Sequence, residues 1–197
     1  MTQITLGDID IDTSDRQALL QHVPHVCAVI KRQGEIIKHN TGVYFHNVPV
    51  NPFNKYCSVT YTQAEDLGCY KIDVLNNSIY DQVRDEAHLQ QLMRTPPMWD
   101  LLTHEEIVLQ LAHINNHYDL VRRLKPQHVT DLACVLALIR PGKRHLVSKC
   151  ERHGFQSIQP EVWQQDDQGY TFKKSHSISL AWTIVVQLNL LIEQLTV

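Results

Sequence analysis

Apolar and polar positions alternate first with period two and later with a period near 3.6, and the change of rhythm divides the chain. In "GDIDIDTSDRQALLQHV", residues 7–23, Ile9 and Ile11 fall on one face of an extended strand while Asp8, Asp10 and Asp12 share the other. Thr13, Ser14 or Asp15 then stands ready to cap a helix, and RQALLQHVPHVCAVIKR follows with apolar residues near helical spacing in spite of Pro24. Residues 35–75 predict strands through Val43, Tyr44 and Phe45, through CSVTYT and through CYKIDVL, with Asn, Pro and Gly between them. After Asn76 and Asn77 helical spacing takes over: SIYDQVRDEAHLQQLM stops before Pro96 and Pro97, and THEEIVLQLAHI opens on Thr103 with Glu106 as a capping box. DLVRRL, QHVTDLACVLALI and KRHLVSKCERH continue the helical half, and the last helix, after KKSHS, lines up Ile178, Ala181, Val185, Leu188, Ile192 and Leu195 as a core stripe. The expected architecture is α/β (α+β): one compact domain over 1–197, with a small mixed sheet and its helices in 1–95 and a helical part in 96–197.

Composition narrows the class. A chain of 197 residues with 43% hydrophobic content can bury a core of its own. Its longest apolar stretch, Ile178 to Leu195, is broken by Ser179, Thr183, Gln187, Asn189, Glu193 and Gln194, short of the roughly 18 uninterrupted apolar residues of a membrane span. MTQITLGDID lacks the basic and apolar regions of a secretory signal, and five cysteines without a CxxC pair suit reduced thiols and a cytoplasmic setting. Net charge is −3, with acids in excess up to His117 and bases in excess from Tyr118 onward. That asymmetry suits a metal site beside an anion-binding surface, and an ordinary solvated surface gives the same pattern.

The acids carry the candidate chemistry. A second strand-like run, GCYKIDVL, sets Asp73 among apolar residues with Lys71 two positions before it. Acids inside apolar strands are costly unless a cation partners them. If the two strands are neighbours, Asp10, Asp12 and Asp73 converge into an all-oxygen pocket of the kind that Mg²⁺ or Mn²⁺ prefers, and two such ions support nucleotidyl transfer. The same alternation also describes a plain exposed face. His113 and His117, four apart in HINNH, have no acid or third ligand in their motif and are read as surface histidines rather than zinc ligands.

Five blocks, in order, resemble the family C DNA polymerases, the bacterial replicative DNA polymerase III alpha subunits. "GDIDIDTSDRQALLQHV" is similar to the palm strand that holds two catalytic aspartates, which places Asp10 and Asp12 in those roles. "KHNTGVYF" resembles the family's Lys-His-x-x-Gly-Val stretch, and "VTYTQAEDLGCYKIDVL" its Gly-Leu-x-Lys-x-Asp-x-Leu segment, whose aspartate is matched by Asp73. "VLQLAHINNHYDLVRRLKPQHVTDLACVLALIRPG" is similar to the block that ends in Ala-Leu-x-Arg-Pro-Gly, and "YTFKKSHSISLAWTIVVQLNLL" to the Phe-Asn-Lys-Ser-His-Ser helix.

The resemblance implies a polymerase beta-like nucleotidyltransferase palm, two Mg²⁺ or Mn²⁺ ions held by Asp10, Asp12 and Asp73, and as partners DNA, a nucleoside triphosphate and a replication protein. Lys38, His39, Lys71, Lys174, Ser175 and His176 inherit positions beside the nucleotide. The last three also open a predicted helix, where backbone N–H groups favour phosphate. Arg140, Lys143 and Arg144, around the Pro-Gly turn, are placed to hold a nucleic-acid backbone by charge, and a solvated loop has the same composition. The departures concern size and positioning. Family members are far longer, with PHP, thumb, oligonucleotide-binding and clamp-binding parts that these residues do not match, and the paired arginines of the fingers are missing between Gly154 and Tyr170. QLAHIN lacks the family's Glu, and Lys173 stands at its Asn. These losses bear on processive synthesis, because positioning does most of the work in phosphoryl-type transfer.

Overall fold

In a computed structural model, residues 9–164 and 171–196 are described; Asp8 of the acid ladder and Tyr170 of the last block lie outside them. The fold is mixed α/β, with a small four-stranded mixed sheet and a helical half. Backbone contacts gather it into two compact units, Met1–Asp81 and Gln82–Val197.

The first unit is built on the sheet. Strand β1 (Ile9–Thr13) runs into helix α1 (Arg16–His22), and Asp15 is the residue that caps it, accepting from the N–H groups of Gln17 (2.8 Å) and Ala18 (3.0 Å). The helix expected to continue past Pro24 does not. The chain instead makes a hairpin of β2 (Val26–Arg32) and β3 (Glu35–Tyr44), with Arg32 paired to Glu35. Gln33 (φ 52°) and Gly34 (φ 91°) form its two-residue turn, and positive φ at both positions gives the twist that antiparallel strands need. CSVTYT, expected as a strand, ends in another helix signal. Thr60 accepts from the Gln63 N–H while the Gln63 side chain accepts from the Thr60 N–H, and this capping box starts α2 (Tyr61–Asp66). Strand β4 (Ile72–Asn76) then inserts between the first strand and the hairpin, giving the order β1-β4-β3-β2.

Consecutive strand residues face opposite sides, and both sides of this sheet are used. Val43 and Val74 pack with Leu20 of α1 on one side; Tyr44 packs with Ala28, Cys57 and Ala64 of α2 on the other. Because α1 lies over β3 and β4, the isoleucines of edge strand β1 stay largely uncovered: Ile9 is 45% and Ile11 38% exposed.

Strands β3 and β4 share only the pairs Gly42↔Asp73 and Val43↔Ile72. Past that point the Arg16 side chain supplies the missing donors, from Nε to the Val74 carbonyl (3.1 Å) and from the guanidinium to the Thr41 carbonyl (3.3 Å). Arg16→Ala leaves both half-buried carbonyls short of a donor, so we expect urea denaturation to show a loss of about 1–3 kcal/mol. A loss below about 0.5 kcal/mol would mean that water replaces the guanidinium without cost.

The second unit is helical: α3 (Glu86–Arg94), α4 (Glu105–Val108), α5 (Tyr118–Leu124), α6 (Val129–Leu138), α7 (Val147–His153), α8 (Gln159–Val162) and α9 (Lys174–Thr196). The helix expected from Ser78 is broken. A 3₁₀ turn covers Ser78–Gln82, and Asp85 then caps α3 by accepting from the His88 N–H (2.8 Å). α3, read from sequence with the sheet, belongs to this unit. The expected Thr103 capping box is also absent, since the Thr103 hydroxyl donates back to the Asp100 carbonyl (2.6 Å) and α4 starts one residue later without a side-chain cap.

Every residue from Leu132 to Leu138 of α6 is buried, so this short helix is wrapped on all sides and α9 packs along it. By length and composition α9 could cross a membrane, yet half of its apolar window is buried in this unit. Its polar residues serve neighbouring helix ends. Asn189 donates to the carbonyls of Leu92 (2.7 Å), in the last turn of α3, and of Thr95 (2.9 Å), just past it, and Gln187 bonds the Gln110 carbonyl (2.6 Å) and the Ala112 N–H (2.8 Å).

All five thiols are free. Burial pushes Cys134 up to about 12 and Cys150 to about 11, so both are held as neutral thiols. With folded values above the ordinary one, their contribution to stability is complete below about pH 9 and is lost as pH rises through 11 and 12. We expect a thiol-reactive dye at pH 8 to label half-buried Cys27 and Cys69 first and to reach Cys134 and Cys150 only on unfolding. Prompt labelling of all five thiols in the native protein would contradict this packing.

Candidate active site

Register decides what the acids share. β1 and β4 are parallel neighbours, and their pairing sets Asp10 opposite Asp73, Ile11 opposite Val74 and Asp12 opposite Leu75. Paired residues of adjacent strands point to the same face, with strands about 4.8 Å apart, and residues two apart on one strand share a face about 6.6 Å along it. Asp10, Asp12 and Asp73 therefore lie on one face of this strand pair, the face opposite Val74 and α1. Asp12 also accepts from the Asn77 side-chain amide (3.3 Å), just past the end of β4.

Asp73 is held from two sides. Oδ1 accepts from the Thr41 hydroxyl (2.7 Å), and Oδ2 takes the Lys71 ammonium in a close ion pair. Lys71, the residue just before β4, is only 10% exposed in its side chain and also lies over the Tyr61 ring (5.6 Å from Nζ to its centroid). His39 completes the wall. Its Nδ1 accepts from the Gly42 N–H (2.9 Å), which places the ring proton on Nε2, and its ring meets Tyr61 edge to face. Burial, assisted by Lys71 and Arg16, pulls His39 below its ordinary value against the opposing pull of Asp73. With Nδ1 an acceptor and 3.7 Å from Asp73 Oδ1, the two make no ion pair.

The donor set is all oxygen and shares a face, which fits a hard divalent cation in chemistry. Its assembly is incomplete: among the described residues no three His, Cys, Asp or Glu side chains form a group that could hold a metal, and Asp73 is committed to Lys71 and Thr41.

The other predicted residues are divided between the two units. Lys38, next to His39, is exposed and lies over the Tyr56 ring instead of the acids. In the second unit, the Arg140 guanidinium stacks on Phe172 (3.8 Å), and Phe172 meets His176 edge to face (4.7 Å), so these two predicted residues share one aromatic ring. Burial lowers His117, with Arg140 and Arg144 adding to the effect, which marks a basic cluster around the Pro-Gly turn. Arg144, Lys174 and Ser175 are exposed, while Lys143 is 1% exposed and does not present its ammonium to a surface phosphate. HINNH is a run of turns before α5, with His113 at φ 64°, so its histidines do not share a helix face.

Sequence reasoning missed Thr41, Gly42, Tyr61 and Arg16. Gly42 had a signal, because glycine inside a strand marks the close approach of another group. No protein-family model, curated protein or solved structure matches the chain.

Proposed function

We propose that this chain is a DNA polymerase-like nucleotidyltransferase on a sheet of the polymerase beta-like palm type, transferring nucleoside monophosphate from a nucleoside triphosphate to a nucleic-acid 3′ end. The observation that carries the reading is the parallel register that brings Asp10 and Asp73 face to face with Asp12 one pleat further on. Asp10 and Asp12 would hold Mg²⁺ or Mn²⁺, and Asp73 would be the third ligand, on the side of the attacking hydroxyl. Two such ions, when bound, lower the pKa of the hydroxyl and neutralise charge on the leaving oxygen. Thr41 fixes the orientation of Asp73, and His39, kept neutral, offers Nε2–H as a donor. Within the second unit, Lys174, Ser175 and His176 are assigned to a phosphate, and Arg140 and Arg144 to a DNA backbone.

A second reading is favoured by one observation, the Lys71 ammonium on Asp73. On this reading the chain is a catalytically inactive polymerase core that binds DNA or a replication protein. Primer extension in Mg²⁺ or Mn²⁺ separates the two. Incorporation that disappears in both Asp10→Ala and Asp73→Ala supports transfer, whereas wild-type protein that retains DNA without extending it in either metal supports the inactive core.

A further inference from the structure

Lys71 takes one oxygen of a carboxylate that the metal reading calls on. Its ammonium bonds Asp73 Oδ2, and the Thr41 hydroxyl takes Oδ1, so the carboxylate is satisfied with no divalent ion. The fold has a dedicated seat for this lysine. Gly42, the residue paired with Asp73 on β3, is not among the glycines with positive φ, so its backbone does not call for glycine. Space does: a Cβ on Gly42 would stand 2.6 Å from Lys71 Cδ and 3.0 Å from His39 Nδ1. The missing side chain of Gly42 is the notch through which the Lys71 stem passes to Asp73, and the Tyr61 ring flanks the ammonium at the far end.

We propose that Lys71 is an internal counter-cation, and that a divalent metal ion and the Lys71 ammonium exclude one another on Asp73. The inference rests on the reading of Asp10, Asp12 and Asp73 as metal ligands given above. An ammonium and a divalent cation compete for one carboxylate, and a positive charge held within a few ångströms also repels an incoming cation at Asp10. Two ligands that oppose each other at a site weaken each other equally, so whatever draws Lys71 off Asp73 strengthens metal binding by the same factor. The metal-free protein is thereby kept stable with its acids partly neutralised, at the cost of metal affinity.

The test is Mn²⁺ binding to the full chain, read from the free-ion electron paramagnetic resonance signal and from the thermal melt. Lys71→Met is expected to bind Mn²⁺ about tenfold or more tightly than wild type. Gly42→Ala keeps the lysine charge but closes the notch, and is expected to shift affinity in the same direction. Asp10→Asn in the Lys71→Met background is expected to remove the gain, which places it at these acids. Mn²⁺ affinity equal in wild type, Lys71→Met and Gly42→Ala, and lost in Asp10→Asn, overturns the counter-cation while leaving the metal site standing. No Mn²⁺ binding by any folded variant overturns both.

Discussion

Asp10→Ala and Asp73→Ala are each expected to lower nucleotide incorporation by about a thousandfold or more, a drop below the detection limit of most extension assays. The size follows from the role assigned to them. A carboxylate that positions a catalytic cation acts where charge develops in the transition state, so its loss appears mainly in kcat rather than in substrate binding. The same substitutions should separate in stability. Asp10 lies beside Asp73 on neighbouring strands, and the charge of Asp73 is already offset by the Lys71 ammonium. Asp10→Asn keeps the side-chain shape and removes the charge, so Mg²⁺ should raise the thermal midpoint of wild type and leave that of Asp10→Asn unchanged. Asp73→Ala removes the acceptor of the Thr41 hydroxyl and strands the Lys71 ammonium in its seat, which should cost about 3–5 kcal/mol. Asp73→Asn keeps the Thr41 bond and is the better probe of chemistry. Equal incorporation by wild type and Asp10→Ala would end the catalytic reading, whatever the melts show.

Much of what positions these acids was legible in the chain. Period-two alternation located β1 and β4, KKSHS located the start of α9 at Lys174, and Asp15 was among the caps foreseen for α1. What failed was local competition between signals. VCAVI is a continuous apolar run that suits a buried helix or a buried strand equally, and the decisive cue, Gln33-Gly34 followed by Glu35 and Ile36, lies outside the run. Thr60 and Gln63 form a capping box that the β-branched residues before it concealed. Register was out of reach in principle. Nothing between Thr13 and Ile72 tells β4 to insert beside β1, because that pairing is fixed by how α1 and the hairpin pack. The ion pair of Lys71 and Asp73 was within reach, since residues two apart on a strand share a face. Burial of Lys143 was not, because lysine composition alone argues for the surface.

Leu136→Ala is expected to produce the largest loss of stability among single truncations of the second unit, about 2–5 kcal/mol by urea denaturation. Leu136 is 0% exposed and sits in a helix whose neighbours from Leu132 to Leu138 are all buried, so the side chain is enclosed from every direction. A surface helix can tilt into the hole left by a truncation. α6 has α9 along it and a second cluster of Leu146, Cys150, Ile158 and Val162 on its other flank, and a shift toward one opens a gap at the other. The cavity therefore persists, and its cost adds to the lost transfer free energy. Leu195→Ala is the control: it lies on the apolar stripe of α9 but is 75% exposed, and it should change stability by less than about 0.5 kcal/mol. If Leu136→Ala cost no more than Leu195→Ala, α6 would not be the centre of this unit. The basic cluster around Arg140 and His176, which that core supports through Phe172, would then lose its rigid base.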